Sequence, residues 1–268
     1  MTKNRMTEKA GDKPSAGSQE RLVVGQFGPR AAAYVASAVH AQGEDLQQLA
    51  AMVAGRKGAR VLDLGCGGGH VAFHVAPHVK EAVAYDLSPD MLAAVAAEAR
   101  KRGLTNVVTR QGPAETLPFA DESFDIVLTR FSAHHWRDVP AALAEAKRVL
   151  KNDGRAAFVD AVSPGPPLLD TYMQGIELMR DPSHVRDYSV DEWKTMLMRA
   201  GFRPGAVTMR RLPLDFAAWI ARMNTPPVLA EAIRAVQTRM STDVVRHFDI
   251  KADGSFTIDV ATIEAEPI

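Results

Sequence analysis

The chain has 268 residues, of which 46% are hydrophobic, and its 32 basic residues balance its 32 acidic residues. This content allows a sizeable core, and a net charge near zero argues against a nucleic acid partner, because phosphate binding usually shows as a basic excess. The single cysteine, Cys66, excludes an intrachain disulfide framework and fits a reducing compartment, so we expect a cytoplasmic protein.

The N-terminal segment, residues 1–21, is polar and lacks the apolar stretch of a secretory signal. It is predicted to be a disordered tail that precedes one folded domain over residues 22–268. Alanine-rich patterns over residues 28–56 predict two helices that lead into the first strand. No apolar run in the chain reaches the length of a membrane span.

From there the patterns of strands and helices alternate along the chain. Strands are predicted near residues 60–64, 82–85, 107–110, 125–129, 155–160, 205–211 and 255–263. Helices are predicted near residues 69–77, 89–102, 138–150 and 189–200. Ser88 is a predicted helix cap, Pro89 a first-turn residue and Gly103 a stop signal. Such alternation predicts an α/β fold whose parallel sheet has helices on both faces.

Two inserts, at about residues 163–188 and 213–248, interrupt this alternation and are rich in methionine and aromatic residues. Most of these apolar side chains are expected to pack the inserts onto the sheet, since apolar helix faces are usually core. A minority are expected to line a pocket, because ligand pockets are mostly apolar.

The first strand leads into a glycine-rich loop. The stretch reads Val61-Leu62-Asp63-Leu64-Gly65-Cys66-Gly67-Gly68-Gly69-His70, an apolar run that ends at an acid and then turns on glycines. Glycine lets the backbone turn sharply and approach a ligand, here a nucleoside or nucleotide at the carboxyl end of a strand. The next strand ends at Asp86, whose carboxylate can accept hydrogen bonds from both ribose hydroxyls. Such an acid suits NAD as well, although the glycine spacing differs from the dinucleotide fingerprint.

The pattern Asp-x-Gly-x-Gly-x-Gly, from Asp63 to Gly69, resembles motif I of the class I S-adenosylmethionine-dependent methyltransferases. Segments 111–119, 124–130 and 145–160 are similar, in order and spacing, to the later motifs of the ubiquinone/menaquinone C-methyltransferase-like branch. This resemblance is strong over residues 58–160 and disfavours an NAD-dependent oxidoreductase. It implies a Rossmann-like, seven-stranded, mostly parallel sheet with helices on both faces and a helical cap formed by the inserts. It also implies S-adenosyl-L-methionine as cofactor and S-adenosyl-L-homocysteine as product.

The resemblance assigns a set of cofactor-binding positions to this chain. They are Tyr34, Asp63, Gly65, Cys66, Gly67, Gly69, Asp86, Leu87, Met91, Gly112, Ala114, Glu115 and Arg130. One position departs from the family, because Pro113 stands where relatives carry an aspartate that binds the adenine amino group. Proline offers neither a side-chain acceptor nor an N–H, so adenine recognition must depend on backbone groups, on Glu115 or on apolar contacts. Cys66 is expected to be a small residue tolerated in a tight loop.

Methyl transfer from a sulfonium requires mainly alignment and the exclusion of water, and a general base only when the acceptor is a carbon acid or a hydroxyl. His134 and His135 follow the fourth predicted strand at its carboxyl end and are the candidate catalytic bases. The alternative is that one histidine orients the loop and the other lies at the surface. No metal site is predicted, because adjacent histidines in a strand-like segment point apart and no ligand cluster is visible.

Three further residues are candidates for binding the substrate, namely His40, His184 and Arg186. Arg186 is a candidate partner for an acceptor carboxylate, or else a member of a surface ion pair. The sequence thus predicts a methyltransferase for a small-molecule acceptor, and the alternative is a non-catalytic S-adenosylmethionine-binding regulator or scaffold. It leaves open which acceptor is used and whether the chain forms a homodimer.

Overall fold

A computed structural model of the protein describes residues 18–35 and 42–268. The strands are β1 (Arg60–Leu64), β2 (Glu81–Asp86), β3 (Val107–Gln111), β4 (Phe124–Arg130), β5 (Leu150–Val162), β6 (Phe202–Leu214) and β7 (Phe256–Pro267). The helices are α1 (Gln19–Phe27), α2 (Ala31–Val35), α3 (Glu44–Val53), α4 (His70–Val75), α5 (Pro89–Lys101), α6 (Val139–Val149), α7 (Pro167–Arg180), α8 (Val190–Arg199), α9 (Phe216–Met223), α10 (Pro227–Gln237) and α11 (Thr242–His247). Short 3₁₀ helices comprise Gly28–Arg30, Ala76–His78 and Ala133–His135.

The strands of the described residues form one seven-stranded sheet in the order β3-β2-β1-β4-β5-β7-β6. Strands β1 to β5 pair in parallel, and β7 is antiparallel to both β5 and β6. The predicted Rossmann-like, mostly parallel sheet is confirmed. Because β1 pairs with β2 on one side and β4 on the other, the strand order reverses there, and ligands of open α/β sheets bind at such a switch point.

Side chains of the central strands alternate between two buried faces. Val61 and Ala82 belong to the core on one face, whereas Leu62 and Val83 belong to the core on the other face. All four are buried, which explains why the strands are almost continuously apolar. Burying a leucine or valine side chain contributes about 1.5–3 kcal/mol, so both helical layers are held firmly to the sheet.

Helix α5 begins and ends where the sequence predicts. The Met91 backbone N–H donates to the Ser88 hydroxyl at 3.3 Å, and Pro89 occupies the first turn. Gly103 lies just beyond the helix with a φ of +70°, the left-handed region in which glycine is favoured. Helix α5 therefore begins three residues after β2 ends. This short connection keeps Asp86 and Met91 beside the glycine loop.

Other boundaries differ from the prediction. Helix α1 begins at Gln19 with Ser18 as its cap, so the predicted end of the tail at residue 21 lies within this helix. Strand β5 begins at Leu150, directly after α6 and five residues earlier than predicted. Residues 152–154, which precede the predicted strand, form an irregularity within the β4–β5 pairing, where the register shifts between Phe124 and Ile126 on β4.

The two inserts pack on each other and on one face of the sheet. The rings of Tyr172 in α7 and Phe248 after α11 lie 4.8 Å apart, and the Thr225 hydroxyl donates to the Arg180 carbonyl at 3.0 Å. Tyr172 and Trp219 are buried in the same core as Val61. The inserts therefore form one helical layer over the carboxyl ends of β4 and β5. Among the described residues, no helix combines the length and apolarity that crossing a membrane requires.

Candidate active site

Three of the four glycines in the loop after β1 have positive φ angles but different surroundings. A Cβ on Gly65 (φ +71°) would lie 1.8 Å from the Ser132 hydroxyl, so the backbone passes very close to the β4 loop. A Cβ on Gly67 (φ +48°) would meet nothing within 4 Å, because this residue borders open space. Gly69 precedes α4, and a Cβ there would lie 2.9 Å from Val95. Gly69 therefore serves helix packing.

Asp63 and Asp86 place a buried and a partly buried carboxylate at the ends of β1 and β2. The backbone N–H groups of Gly67 and Ser88 donate to the two oxygens of Asp86 at 2.8 and 2.9 Å, and the Ala72 N–H donates to Asp63 at 3.0 Å. Burial raises the pKa of Asp86 and raises that of Asp63 to about 7, to which the nearby Asp86 charge contributes. A carboxylate has about four acceptor sites, so both side chains keep capacity for a ligand.

These carboxylates border a cleft of about 1100 Å³, which includes space open to solvent. Most of the predicted cofactor-binding residues line it, namely Tyr34, Asp63, Gly65, Cys66, Gly67, Asp86, Leu87, Met91, Gly112, Ala114, Glu115 and Arg130. Gly69 is outside this lining. Burial raises the pKa of the Cys66 thiol well above its usual range, which suits an inert side chain in a tight loop.

The segment after β3 forms the far wall of the cleft. The Gly112 N–H donates to the Asp86 carbonyl at 3.1 Å, and the Tyr85 hydroxyl donates to the Pro113 carbonyl at 3.1 Å. A Cβ on Gly112 would lie 2.0 Å from the Tyr85 hydroxyl oxygen, so only glycine fits there. The Glu115 carboxylate accepts from the Asp138 backbone N–H at 3.1 Å. Pro113 thus stands in a wall whose backbone groups are held by the neighbouring strands.

A second cavity of about 1550 Å³, again including open space, adjoins the cleft. The two share Phe27, Tyr34, Arg130, Phe131 and His135 as lining residues. The helical layer and strands β6 and β7 surround this second cavity, and its apolar wall comprises Met209, Leu212, Leu214, Trp219, Met223, Ile258 and Val260. The shared residues, called the junction below, are where a molecule in the cleft and one in the second cavity would meet.

His134 and His135 lie beside each other in the 3₁₀ helix after β4. Their ring centroids are 4.2 Å apart, so the expectation that adjacent histidines point apart is wrong. A 3₁₀ turn has three residues per turn and does not alternate sides as a strand does. Among residues 18–35 and 42–268, no three His, Cys, Asp or Glu side chains lie where they could hold a metal ion together.

His134 forms a charged pair with Asp160 at the end of β5. Its Nδ1 lies 2.6 Å from the Asp160 carboxylate, which also accepts from the His134 backbone N–H at 3.2 Å. Burial disfavours the charged ring, but the Asp160 carboxylate outweighs it and raises the pKa of His134 to about 9. His134 is therefore an imidazolium at neutral pH and a poor acceptor of protons.

His135 has the opposite character. Its Nδ1 lies 3.1 Å from the Ser183 carbonyl, and since a carbonyl only accepts, Nδ1 carries the proton and Nε2 keeps its lone pair. Burial, together with the positive charge of His134, lowers the pKa of His135 well below its usual value. A neutral imidazole therefore stands at the junction of the two cavities.

The His134–Asp160 pair predicts a stability change at alkaline pH. A histidine whose folded pKa, about 9, exceeds its unfolded value of about 6.5 stabilises the fold fully below pH 6.5 and loses this contribution as pH rises through 9. Between pH 6.5 and 9 the free energy of unfolding of the wild type should fall by up to about 3 kcal/mol relative to that of His134→Gln. Urea denaturation of both proteins at several pH values measures this difference, and parallel pH profiles would contradict the assignment.

The predicted substrate-binding residues lie outside both cavities or outside the described residues. Burial lowers the pKa of His184 to about 4, and its Nε2 lies 3.0 Å from the Gln174 amide oxygen. Arg186 pairs with Asp170 at 3.2 Å and with Glu192 at 3.1 Å, which is the surface ion pair that the sequence left open. His40 lies outside the described residues.

The structure adds functional candidates that sequence reasoning missed. Asp160 lies near the carboxyl end of β5, and β5 pairs with β4, the strand that precedes the histidines, so its position could have been inferred from the strand order. Arg180 and Arg222 line the second cavity from α7 and α9. No pattern in the sequence distinguishes these two arginines from surface arginines on the same helices.

Known proteins resemble this chain over most of its length. A methyltransferase domain model matches residues 62–158. The YafE protein of Escherichia coli (strain K12) is 48% identical over 197 residues, which cover 74% of this chain and 95% of YafE. The uncharacterised methyltransferase YcgJ of Bacillus subtilis (strain 168) is 40% identical over 200 residues, which cover 75% of this chain and 79% of YcgJ.

Structural similarity supports the same grouping. The crystal structure of YcgJ superposes with a TM-score of 0.80 and 34% identity, covering 84% of this chain and 98% of YcgJ.

A more distant sequence relative has a named quinone-pathway activity. The ubiquinone/menaquinone C-methyltransferase UbiE of Sinorhizobium fredii is 33% identical over 171 residues, which cover 62% of this chain and 64% of UbiE. Sheet order, glycine loop and sequence identity lead to one conclusion: the chain belongs to the S-adenosylmethionine-dependent methyltransferases.

Proposed function

We propose that this enzyme methylates a small-molecule acceptor held in the second cavity, with the cofactor in the cleft. The observation that carries this proposal is the junction, where Tyr34 and His135 border both spaces. A methyl donor in one space and an acceptor in the other would meet there. The second cavity is a concave space between helices and sheet, a shape that suits small ligands.

The residues of the cleft fit S-adenosylmethionine, which supplies a methyl group already activated on a positively charged sulfur. Asp86 would hold the ribose hydroxyls, since its carboxylate is anchored by two backbone N–H groups. Asp63 is buried and its pKa is raised, so its carboxyl group is partly neutral without a ligand. The positively charged amino group of the cofactor would favour the ionised carboxylate and pair with it. Gly67 borders open space that a ligand can approach closely.

The chain's own residues would act on the acceptor mainly by orientation. The helical layer of the inserts would cap the second cavity and keep water from the junction. Where the acceptor is a carbon acid or a hydroxyl, His135 would take its proton at Nε2, while the Ser183 carbonyl holds the other ring nitrogen. His134 would remain protonated, and its hydrogen bonds to the Asp160 carboxylate would keep the 3₁₀ turn in place.

A labelling experiment tests this function. The protein is incubated with methyl-labelled S-adenosylmethionine and a dialysable metabolite extract, and the products are separated by mass spectrometry. We expect the label in a small molecule, and its appearance in a protein or nucleic acid fraction would contradict the proposal. Cofactor binding by calorimetry without any labelled product would favour a non-catalytic role instead.

Pro113 gives a prediction about adenine recognition. Because Pro113 lines the cleft without a side-chain acceptor, Pro113→Asp should leave the affinity for S-adenosylhomocysteine equal or increase it. Calorimetry of both proteins measures the effect, with thermal unfolding as a check on the fold. A large loss of affinity in a folded variant would mean that the proline ring itself shapes the adenine pocket.

A further inference from the structure

We propose that His134 is a further catalytic residue, whose Nε2–H binds an oxygen of the acceptor that becomes negatively charged when His135 removes a proton. The inference rests on the proposed function, because it concerns the acceptor of the same reaction. It narrows the acceptor to molecules that form an oxyanion when they lose a proton, such as enols and phenols. The observation that carries it is the free edge of the His134 ring, which borders the second cavity.

One edge of the His134 ring is held firmly by β5. Its Nδ1 lies 2.6 Å from one oxygen of the buried Asp160, and the other oxygen accepts from the His134 backbone N–H at 3.2 Å. The His134 carbonyl in turn accepts from the Val185 N–H at 2.8 Å. The ring cannot rotate without breaking the bond to Asp160, so these contacts fix the direction of its second nitrogen.

That second nitrogen, Nε2, is left for a ligand. Among residues 18–35 and 42–268, no group forms a hydrogen bond with it, and it is not one of the polar atoms that the protein encloses without a partner. The His134 side chain is 17% exposed, and the residue lines the second cavity but not the cofactor cleft. A molecule in the second cavity can therefore reach Nε2.

The surroundings of the ring keep it positively charged. Burial disfavours the charge, but Asp160 outweighs this effect, and the carboxyl groups of Asp187 and Glu177 act in the same direction as Asp160. Asp187 lies 3.8 Å from His184 Nε2 and forms no ion pair with His134. The His184 ring, 5.9 Å away, stays neutral because burial lowers its pKa to about 4. An imidazolium donates from both nitrogens, so Nε2 carries a proton at neutral pH.

His135 offers the complementary group at the same place. Its ring centroid lies 4.2 Å from that of His134, and because the Ser183 carbonyl holds Nδ1, its Nε2 accepts. Both residues line the second cavity. One acceptor hydroxyl can donate its proton to His135 and accept from the His134 Nε2–H. In a carbon acid, the C–H and its neighbouring carbonyl oxygen would take these two roles.

The balance of protons and electrons follows from this arrangement. The O–H or C–H bond of the acceptor breaks, the proton goes to Nε2 of His135, and the electron pair left behind is shared with the oxygen that accepts from His134. This pair then forms the new bond to the methyl group, while the electrons of the carbon–sulfur bond stay on sulfur as a neutral thioether. His134 therefore stabilises a charge that exists only during the reaction, which lowers the barrier instead of tightening the binding of the neutral acceptor.

Arginines also line the second cavity and are alternative partners for an anion, namely Arg130, Arg180, Arg210, Arg211 and Arg222. They lie on β4, α7, β6 and α9, whereas His134 and His135 share one 3₁₀ turn. An oxyanion formed beside the His135 ring is also beside the His134 ring, because the two rings are adjacent. Substitution of His134 alone therefore distinguishes the imidazolium from the guanidinium groups.

Binding of ionisable probes tests this inference without the natural acceptor. The probes are 4-nitrophenol and 4-nitro-1-naphthol, whose anions differ in colour from the neutral forms, each added with S-adenosylhomocysteine at a pH equal to the pKa of the free probe. Half of the free probe is then anionic, and the absorbance of the bound probe shows which form the protein selects. We expect the bound anion to exceed the bound neutral form at least about tenfold, the preference typical of a charge-assisted hydrogen bond.

Three variants identify the group that causes this preference. His134→Gln should remove it, whereas His78→Gln, an exposed histidine outside both cavities, should keep it. Asp160→Asn retains an acceptor for the His134 backbone N–H but removes the charge that keeps the ring protonated. Because burial alone lowers the pKa of His134, this variant should lose the preference at neutral pH and recover it at lower pH. Thermal unfolding checks each fold, and Asp160→Asn decides the question if His134→Gln is unfolded.

Other results would overturn the inference. A preference that persists in a folded His134→Gln would assign the anion to an arginine of the cavity wall. A wild type that binds S-adenosylhomocysteine in calorimetry but shows no preference for the anion, or binds neither probe, would also overturn it and leave the proposed function standing. Failure to bind S-adenosylhomocysteine would count against the proposed function itself.

Discussion

Replacing His135 by alanine should lower the rate of turnover about 10²- to 10⁴-fold when the acceptor is a carbon acid or a hydroxyl, the loss typical of a missing general base. The expectation follows from the neutral imidazole at the junction, whose Nδ1 proton is held by the Ser183 carbonyl and whose Nε2 is available. Single-turnover kinetics with the acceptor that the labelling experiment identifies measure the effect. The affinity for S-adenosylhomocysteine should change far less than the rate.

His134→Ala is the matched control, because it removes an adjacent histidine that is already protonated at neutral pH. It should lower the rate less than His135→Ala. The pH profile gives a second readout: because the pKa of His135 is lowered, wild-type turnover should remain on its plateau as pH falls from 7 through 6.5. If His135→Ala retains wild-type turnover, the enzyme works by alignment alone, and the acceptor is nucleophilic at neutral pH.

Asp86→Ala should weaken the binding of S-adenosylhomocysteine by about 1.5–3 kcal/mol, which corresponds to roughly 10- to 150-fold. The variant removes the carboxylate that would accept hydrogen bonds from the ligand. It also removes the acceptor of the Gly67 and Ser88 N–H groups, which holds the glycine loop against the start of α5. Isothermal calorimetry of the variant and the wild type gives the difference directly.

Two further variants show what causes the loss. Asp243→Ala removes an exposed carboxylate on α11, far from the cleft, and should leave the affinity unchanged. Asp86→Asn keeps one acceptor oxygen without the charge and should fall between Asp86→Ala and the wild type. Wild-type affinity in Asp86→Ala would mean that the ribose is held elsewhere in the cleft.

Several features of the fold could be predicted because they depend on neighbouring residues. The apolar run before Asp63 predicts a buried strand, and both its faces are indeed covered. Ser88 and Gly103 define the limits of α5 through a side-chain cap and a left-handed φ, which are local effects. The glycines at 65 and 67 adopt the positive φ angles that the predicted tight turn requires.

Two predictions were wrong where contacts between distant segments shape the chain. Strand β5 includes residues 150–154, ahead of the predicted start near residue 155, because its pairing with β4 begins at Leu150 opposite Phe124. The sequence predicts an extended segment for the histidines after β4. A 3₁₀ turn instead brings their rings together, and Asp160 from the next strand holds one of them.

By itself, the sequence determined the α/β alternation, the glycine loop with its two acids, and hence the family, because each depends on residues close together in the chain. Only the tertiary structure decided which polar groups face the second cavity. Arg180 and Arg186 lie six positions apart in one insert, yet Arg180 is held on Trp219 inside the cavity while Arg186 pairs with Asp170 and Glu192 outside it. That difference arises from packing between segments distant in sequence, which leaves no trace in local spacing.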